Sequence, residues 1–133
     1  MGRTRTPTTA GLVLDAGALI ALDRGDLRMI ALLRRALAQG LSFRVPAAVV
    51  GQAWRDGRVQ ANLARFLRID EVEIVPMDDH LARSCGELCG VARSAAIIDA
   101  SVVIVARQRR DPIVTSDPND LRRLDPAARI IPV

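Results

Sequence analysis

Three aspartates stand where a carboxylate is costly unless something pairs with it. Asp15 ends the run Gly11-Leu12-Val13-Leu14, Asp117 ends Ile113-Val114-Thr115-Ser116, and Asp99 lies within the apolar segment Ile98–Ala106. An apolar run bounded by glycine reads as a fully buried parallel strand. Asp15 and Asp117 then emerge at strand carboxyl ends, the edge at which open α/β sheets bind ligands. If the two strands are neighbours, both carboxylates face one crevice and repel, so they call for a cation between them. Asp120, one helical turn past Asp117, adds a fourth acid. A plainer reading competes: Asp99 and Asp117 are also suited to helix capping, the commonest use of aspartate at such places. Asp15 is the hardest to explain that way, because a charge beside a hydrophobic strand is expensive to bury.

The elements that must position these acids alternate between strand and helix. After the first strand, Leu19–Leu22 reads as a short helical turn, broken by Asp23-Arg24-Gly25. Asp26 is an N-cap for a helix through Gln39, with Gly40 as its stop and Leu27, Ile30, Leu33 and Leu37 as its buried stripe. Leu41–Val45 reads as a second strand, and Pro46 suits the first turn of a helix over Ala47–Arg55. A further helix over Val59–Arg68, a strand Glu73–Pro76 and a helix from Asp78 or Asp79 to Arg93 follow. Ile98–Ala106 is rich in β-branched residues, so propensity favours a strand. It runs without a breaker into Arg107–Arg110, and a parallel strand at Ile113–Ser116 needs a helical crossover before it, so helix is the better assignment. Asp99 then lies in the first turn, where the helix dipole favours a carboxylate. Pro118 suits N1 of a short helix, and Ala128–Val133 reads as the last strand. Residues 1–10 read as a flexible tail and 11–133 as one α/β domain with a mostly parallel sheet.

Composition excludes several chemistries. All 19 basic residues are arginines, so a phosphate-loop lysine, a Schiff-base lysine and a receiver-domain lysine are impossible. One histidine, His80, and no Gly-x-Ser-x-Gly turn argue against a Ser-His-Asp hydrolase. The net charge of +4 understates the surface. With the four aspartates set aside the remainder is strongly basic, which suggests a basic rim around an acidic pocket and a polyanionic substrate. Aromatic content is only 2% (Phe43, Trp54, Phe66), and Trp54 and Phe66 fit core contacts, so base stacking is poorly supported. The only cysteines, Cys85 and Cys89, are too few for a structural zinc site. They read as buried reduced thiols, in keeping with a cytoplasmic protein. The longest apolar stretches, Ala16–Leu22 and Ala100–Ala106, fall far short of the roughly 20 residues of a membrane span.

The joint pattern resembles a family. The strand ending in Asp15-Ala16-Gly17 comes first, then a mid-chain helix after Val45-Pro46-Ala47. Ile98-Asp99-Ala100 on an apolar helix follows, with Val114-Thr115-Ser116-Asp117 near the end. In order and spacing this is similar to PIN domains, specifically the small VapC-type ribonuclease toxins of bacterial toxin–antitoxin pairs, over about Leu12–Val133. The resemblance implies a three-layer α/β/α PIN-like fold and a Mg²⁺- or Mn²⁺-dependent endoribonuclease. It implies Asp15, Asp99 and Asp117 as catalytic and metal-binding acids. Asp120 falls at a further polar or acidic position, and Thr115 and Ser116 at the family's small hydroxyl positions. It also implies an RNA substrate, a separate antitoxin as partner, a homodimer and no membrane. The chain departs from the pattern at Gln52, where the family usually carries glutamate. An amide can still offer an oxygen, but without charge, so a second ion would be held less tightly. The competing expectation is a non-catalytic PIN-like module that binds RNA or protein over a degraded metal site.

Overall fold

The computed structural model describes residues 10–133, so the tail expected at the N-terminus lies, apart from Ala10, outside the described residues. Five strands form the sheet: β1 (Gly11–Leu14), β2 (Ser42–Pro46), β3 (Val72–Val75), β4 (Ile113–Thr115) and β5 (Ile130–Pro132). Their order is β3-β2-β1-β4-β5 and every pairing is parallel, which sharpens the expectation of a mostly parallel sheet. Val13 is in register with Arg44 on one side and Ile113 on the other. All four residues of β1 are buried, as the uninterrupted apolar run requires of a central strand.

Among the described residues seven helices make the connections: α1 (Ala16–Asp23), α2 (Leu27–Ala38), α3 (Ala47–Ala53), α4 (Ala61–Phe66), α5 (Asp79–Ala92), α6 (Ile97–Arg109) and α7 (Pro118–Leu124). The chain steps outward from β1 to β2 to β3, then returns past β1 to place β4 on its other side. Right-handed crossovers running in opposite directions put their helices on opposite faces. Accordingly α1 packs with α2, α3 and α4, whereas α5, α6 and α7 pack on one another and α6 lies against β1 and β2. The result is three layers, with the direction of winding reversing between β1 and β4. That reversal opens a crevice at the strand carboxyl ends, the place where doubly wound sheets bind ligands.

The core is apolar and closely filled. Val13, Leu14, Phe43, Val45 and Ile113 come from the sheet, and Leu19, Met29, Leu63, Val102, Val103 and Leu121 from the helices. Phe43 meets Phe66 edge to face at 5.4 Å between ring centroids. The β-branched segment at Asp99 is helical, with Val102, Val103 and Val105 buried. Burial between sheet and neighbouring helices outweighs its local strand preference, since β propensity measures fit to a packed surface more than to a backbone.

Four expectations change. Helix α1 starts at Ala16 rather than Leu19, because Asp15 caps it. The buried face of α2 is Met29, Leu33 and Ala36; Leu27 is 81% exposed and Leu37 also faces outward, so the stripe is rotated from the one read by leucine spacing. Helices α3 and α4 are shorter than expected, ending at Ala53 and starting at Ala61. Trp54 is exposed rather than in the core, whereas Phe66 is buried as expected. Cys85 and Cys89 are buried free thiols, and burial pushes the Cys85 thiol further up. Gly40 ends α2 with φ 78°, a left-handed position that lets Leu41 N–H reach the Ala36 carbonyl. Among the described residues no single helix is long and apolar enough to cross a membrane.

Candidate functional site

Asp15 follows β1 directly, and its backbone N–H donates to the Val114 carbonyl across the reversal. Its buried carboxylate is held from two sides. Oδ1 accepts the Ala18 N–H at 2.9 Å, which caps α1. Oδ2 accepts the hydroxyl of Thr115, the last residue of β4. Thr115 Oγ1 in turn accepts the Asp117 N–H at 2.8 Å. One threonine thus ties the ends of β1 and β4 together and fixes Asp15 in one orientation.

The capping alternative divides these acids in an unexpected way. Asp15, the hardest to dismiss as a cap, is the one that caps. Asp117 is the N-cap residue of α7 but makes no side-chain capping bond. Asp99 is the third residue of α6, whose N-cap position is Ala96. The carboxylates of Asp99 and Asp117 are therefore not used to hold their own helices.

The four acids line a single pocket of about 270 Å³ at the β1–β4 reversal. Asp15, Asp99, Asp117 and Asp120 share it with Gln52 and Ser116, and Ile20, Val49, Ile98 and Val102 supply an apolar wall. Gln52 reaches it from α3 and is exposed. Ser116 reaches it because Gly17 has no side chain: a Cβ there would run into Ser116 Oγ. Gly17 and the apolar wall were not singled out from sequence. The glycine two residues after an acid at a strand end, in Asp15-Ala16-Gly17, was the available signal for the first. Nothing short of the packing marks the second. His80 is exposed in the first turn of α5 and does not line the pocket.

Each acid feels the others. Burial pushes the Asp99 carboxyl upward, and the charges of Asp120, Asp15 and Asp117 push it further in the same direction. Asp15 is raised by burial and by Asp117, against the downward pull of the Thr115 and Ala18 hydrogen bonds. Asp117 is raised first by a hydrogen bond with the Asp120 carboxyl, then by desolvation and by the charge of Asp120. Neither Asp15, Asp99 nor Asp117 has an ion-pair partner among the described residues; Asp120 has a single exposed one, Arg123 at 3.7 Å. An exposed pair of that length offsets little.

The basic rim is not laid out evenly. Among the described residues no arginine lines the acid pocket. Arg24 and Arg55 line an adjoining cavity that shares Ile20 and Gln52 with it, while Arg107, Arg110 and Arg129 line a cavity beside Asp111, just ahead of β4. Among the described residues, no three acid, histidine or cysteine side chains already close around one point as an ion's ligands. The donors that face the pocket are carboxylate, hydroxyl and amide oxygens, a hard set that suits Mg²⁺ or Mn²⁺ and not a softer ion. Mg²⁺ keeps several of its waters, so an open pocket with few direct protein ligands is compatible with it.

No family model matches the chain, and no curated protein matches it in sequence. Solved structures do match in shape. A Rickettsia felis VapBC2 structure, bound to a DNA fragment from its promoter, superposes with a TM-score of 0.65 at 15% identity, covering 92% of this chain and 98% of that one. FitAcB from Neisseria gonorrhoeae gives 0.62 at 16% identity over 90% and 96% of the two chains. Mycobacterium tuberculosis VapC20, a toxin that cleaves the sarcin–ricin loop, gives 0.58 at 19% identity over 78% and 86%. At these identities the likeness speaks for architecture alone: the chain shares the fold of these VapBC2, FitAcB and VapC20 structures.

Proposed function

We propose that the chain is a Mg²⁺- or Mn²⁺-dependent endoribonuclease, the toxin of a toxin–antitoxin pair. The observation that carries this is that four aspartates line one pocket at the β1–β4 reversal, with no arginine among the described residues lining it. Asp99 is the clearest member, because every neighbouring charge raises its carboxyl and no hydrogen bond or cation lowers it. A divalent cation is the simplest group that reverses that imbalance.

Asp15, Asp99 and Asp117 would hold the ion, with Asp120 beside them and Gln52, Thr115 and Ser116 around them. When bound, the ion lowers the pKa of water and stabilises charge that builds on the phosphate during in-line displacement. The chain's own residues do the rest. Thr115 holds Asp15 in position through its hydroxyl, and Asp15 is further fixed by the Ala18 N–H. Ile20, Val49 and Val102 keep one side of the pocket dry, which strengthens electrostatic interactions within it. The Asp120 carboxyl lies close enough to Asp117 to push its carboxyl upward, an imbalance that a cation there would offset.

The structural neighbours support the same reading. Two are VapC or VapBC toxin structures, one described as cleaving the sarcin–ricin loop and one as bound to promoter DNA. By extension the partner here is a cognate antitoxin, the working form is a homodimer, and the compartment is the cytoplasm, which suits the two free buried thiols.

The test is cleavage of a mixed RNA pool by the purified chain with Mn²⁺, with Mg²⁺ and with chelator, beside Asp99→Asn. Metal-dependent cleavage that vanishes in Asp99→Asn is the expected result. One observation favours a second reading, a non-catalytic binding module: an uncharged Gln52 faces the pocket, and among the described residues the acids line it without closing into a ligand set. No cleavage in any metal by folded, partner-free protein would decide for that module.

A further inference from the structure

The acid pocket does not end at its own wall. It shares Ile20 and Gln52 with a second cavity of about 250 Å³, lined also by Asp23, Arg24, Ala53, Arg55 and Gln60. On α1, Ala16, Ile20 and Arg24 are spaced by four and so lie along one face. On α3, Val49 and Gln52 are spaced by three and do the same, and Arg55, two residues past the helix end, lines the second cavity with Gln52. The two helices pack on each other. Together they form a groove that starts at the carboxylates and ends at two arginines. We propose that this groove is a phosphate track, holding the RNA backbone next to the bond that is cut. The proposal rests on the nuclease reading above and assigns it a substrate path.

The charges in the groove are arranged for an anion. Among the described residues Asp23 is the only acid lining the second cavity, against two arginines, and its Oδ1 is turned toward α4, where it accepts the Leu63 N–H at 3.2 Å. Asp56, next along the chain from Arg55, is engaged by Arg58 through both oxygens at 3.2 Å. Neither Arg24 nor Arg55 has an ion-pair partner among the described residues. The contrast is with Arg44, Arg107 and Arg109, each of which pairs with Glu73 or Asp125.

Arg55 is also held in place. Gln60 Oε1 accepts the N–H of Arg55 at 2.6 Å and of Asp56 at 2.9 Å, and Gln60 Nε2 donates to the Ala53 carbonyl at 2.9 Å. Arg55 Nη1 donates to the carbonyls of Gly51 and Trp54, which leaves its remaining donors for a ligand. A guanidinium restrained in this way loses little freedom when it meets a phosphate, and its fork matches phosphate geometry. Gln52 stands at the junction, where its amide can donate to a phosphate or accept from a 2′-hydroxyl. From Ala16 to Arg24 the groove runs roughly 12 Å at ~1.5 Å per helical residue, the reach of a few nucleotides. No aromatic residue lines either cavity, so the track reads backbone and not bases.

The experiment measures binding apart from cleavage. A fluorescent single-stranded RNA is titrated against the full chain carrying Asp99→Asn, over a series of KCl concentrations. The test variant adds Arg24→Gln and Arg55→Gln. A charge-matched control adds Arg28→Gln and Arg34→Gln, on the exposed face of α2. The track requires at least tenfold weaker binding in the test variant and less than twofold in the control. The slope of log affinity against log salt should shrink by roughly 1.4, about 0.7 for each lost phosphate contact on a single strand. Mn²⁺ binding to Arg24→Gln/Arg55→Gln in the otherwise unsubstituted chain, followed by calorimetry, should be unchanged. Equal RNA affinity in test variant and control, with the parent binding RNA, overturns the track and leaves the nuclease reading intact. RNA neither bound nor cut by the unsubstituted chain overturns both.

Discussion

The two edges of the sheet bury acids in opposite ways. At the amino edge, Asp111 precedes β4 and is 8% exposed. Burial raises its carboxyl, but Arg44, the Gly11 N–H, Arg109 and Arg129 all pull it back down. At the carboxyl edge, burial raises Asp99 as well, and there the neighbours add to the increase instead of opposing it. Desolvation acts on both carboxylates. What differs is whether the fold supplies its own compensation. An acid balanced by the chain's own arginines reads as structure, and an acid left unbalanced in a pocket is a site for something that arrives.

Arg44 shows how the amino edge draws on partners from within the chain. It sits in the middle of β2, buried, and points to the C-terminal end of α6. Nη1 donates to the Val105 carbonyl at 3.0 Å and Nη2 to Gln108 Oε1 at 3.1 Å. Nε is 3.5 Å from Glu73 Oε1, close enough for an ion pair but too poorly aligned for a hydrogen bond. A cation at the negative end of a helix dipole is well placed.

The largest expected effect tests the open edge. Asp99→Asn should lower metal-dependent cleavage by about a hundredfold or more, the scale of losing a preorganised electrostatic contact to the reacting centre. Stability in urea should be unchanged or slightly higher, because a carboxylate without a partner has been removed. A parallel loss of fold and activity would instead make Asp99 a structural acid like Asp111. The complementary change is Arg44→Met at the closed edge. It should cost about 3 kcal/mol by urea denaturation, since the Val105 carbonyl and Gln108 lose their donor and buried Asp111 loses a compensating charge. Cleavage per folded molecule should not change. Activity lost at full stability would erase the distinction between the edges.

How much of this was legible in the sequence follows from where the information lies. The strand-end acids could be read because an apolar run ending in aspartate is a local pattern, and β1 and β4 carry it intact. The helix at Asp99 could be read because a parallel sheet needs a crossover, although its valines pointed the other way. The face of α2 could not be read. Leu27, Ile30, Leu33 and Leu37 fit a helical period as well as Met29, Leu33 and Ala36 do, and only tertiary packing chooses between them. Arg44 carried a signal that went unread, a charged residue between Phe43 and Val45 in an apolar strand. The uneven basic rim was out of reach, because the count of arginines says nothing of which edge they occupy.

A middle-sized effect concerns how tightly the open edge is assembled. Gly17→Ala places a methyl group against Ser116 Oγ, so one of the two must move. Overpacking of this kind costs about 1–3 kcal/mol, and it should also weaken Mn²⁺ binding, since Ser116 and Asp15 both face the pocket. The sharper test is the double change. In a Ser116→Ala background most of the clash disappears, so Gly17→Ala should cost clearly less there than alone, a coupling that a double-mutant cycle reads directly. Equal costs in both backgrounds would mean that Gly17 acts through its backbone and not by making room for Ser116.

The smallest effect separates the edges by pH. Asp15, Asp99, Asp117 and Asp111 all have carboxyls raised above the ordinary value of 3.8. Each binds its proton more tightly in the folded chain than in the unfolded one. The stability they contribute is therefore fully present below that ordinary value and is lost as pH rises through the raised folded values. Urea midpoints of metal-free protein should show this component as a decline from mildly acidic toward neutral pH. Saturating Mn²⁺ should remove the carboxyl-edge share, because the ion replaces the protons and binds only the folded state. It should leave the amino-edge share, which Asp111→Asn abolishes whether or not metal is present. If Mn²⁺ left the whole pH dependence untouched, the acids at β1 and β4 would not hold the ion, and the two edges would be alike in taking no ligand.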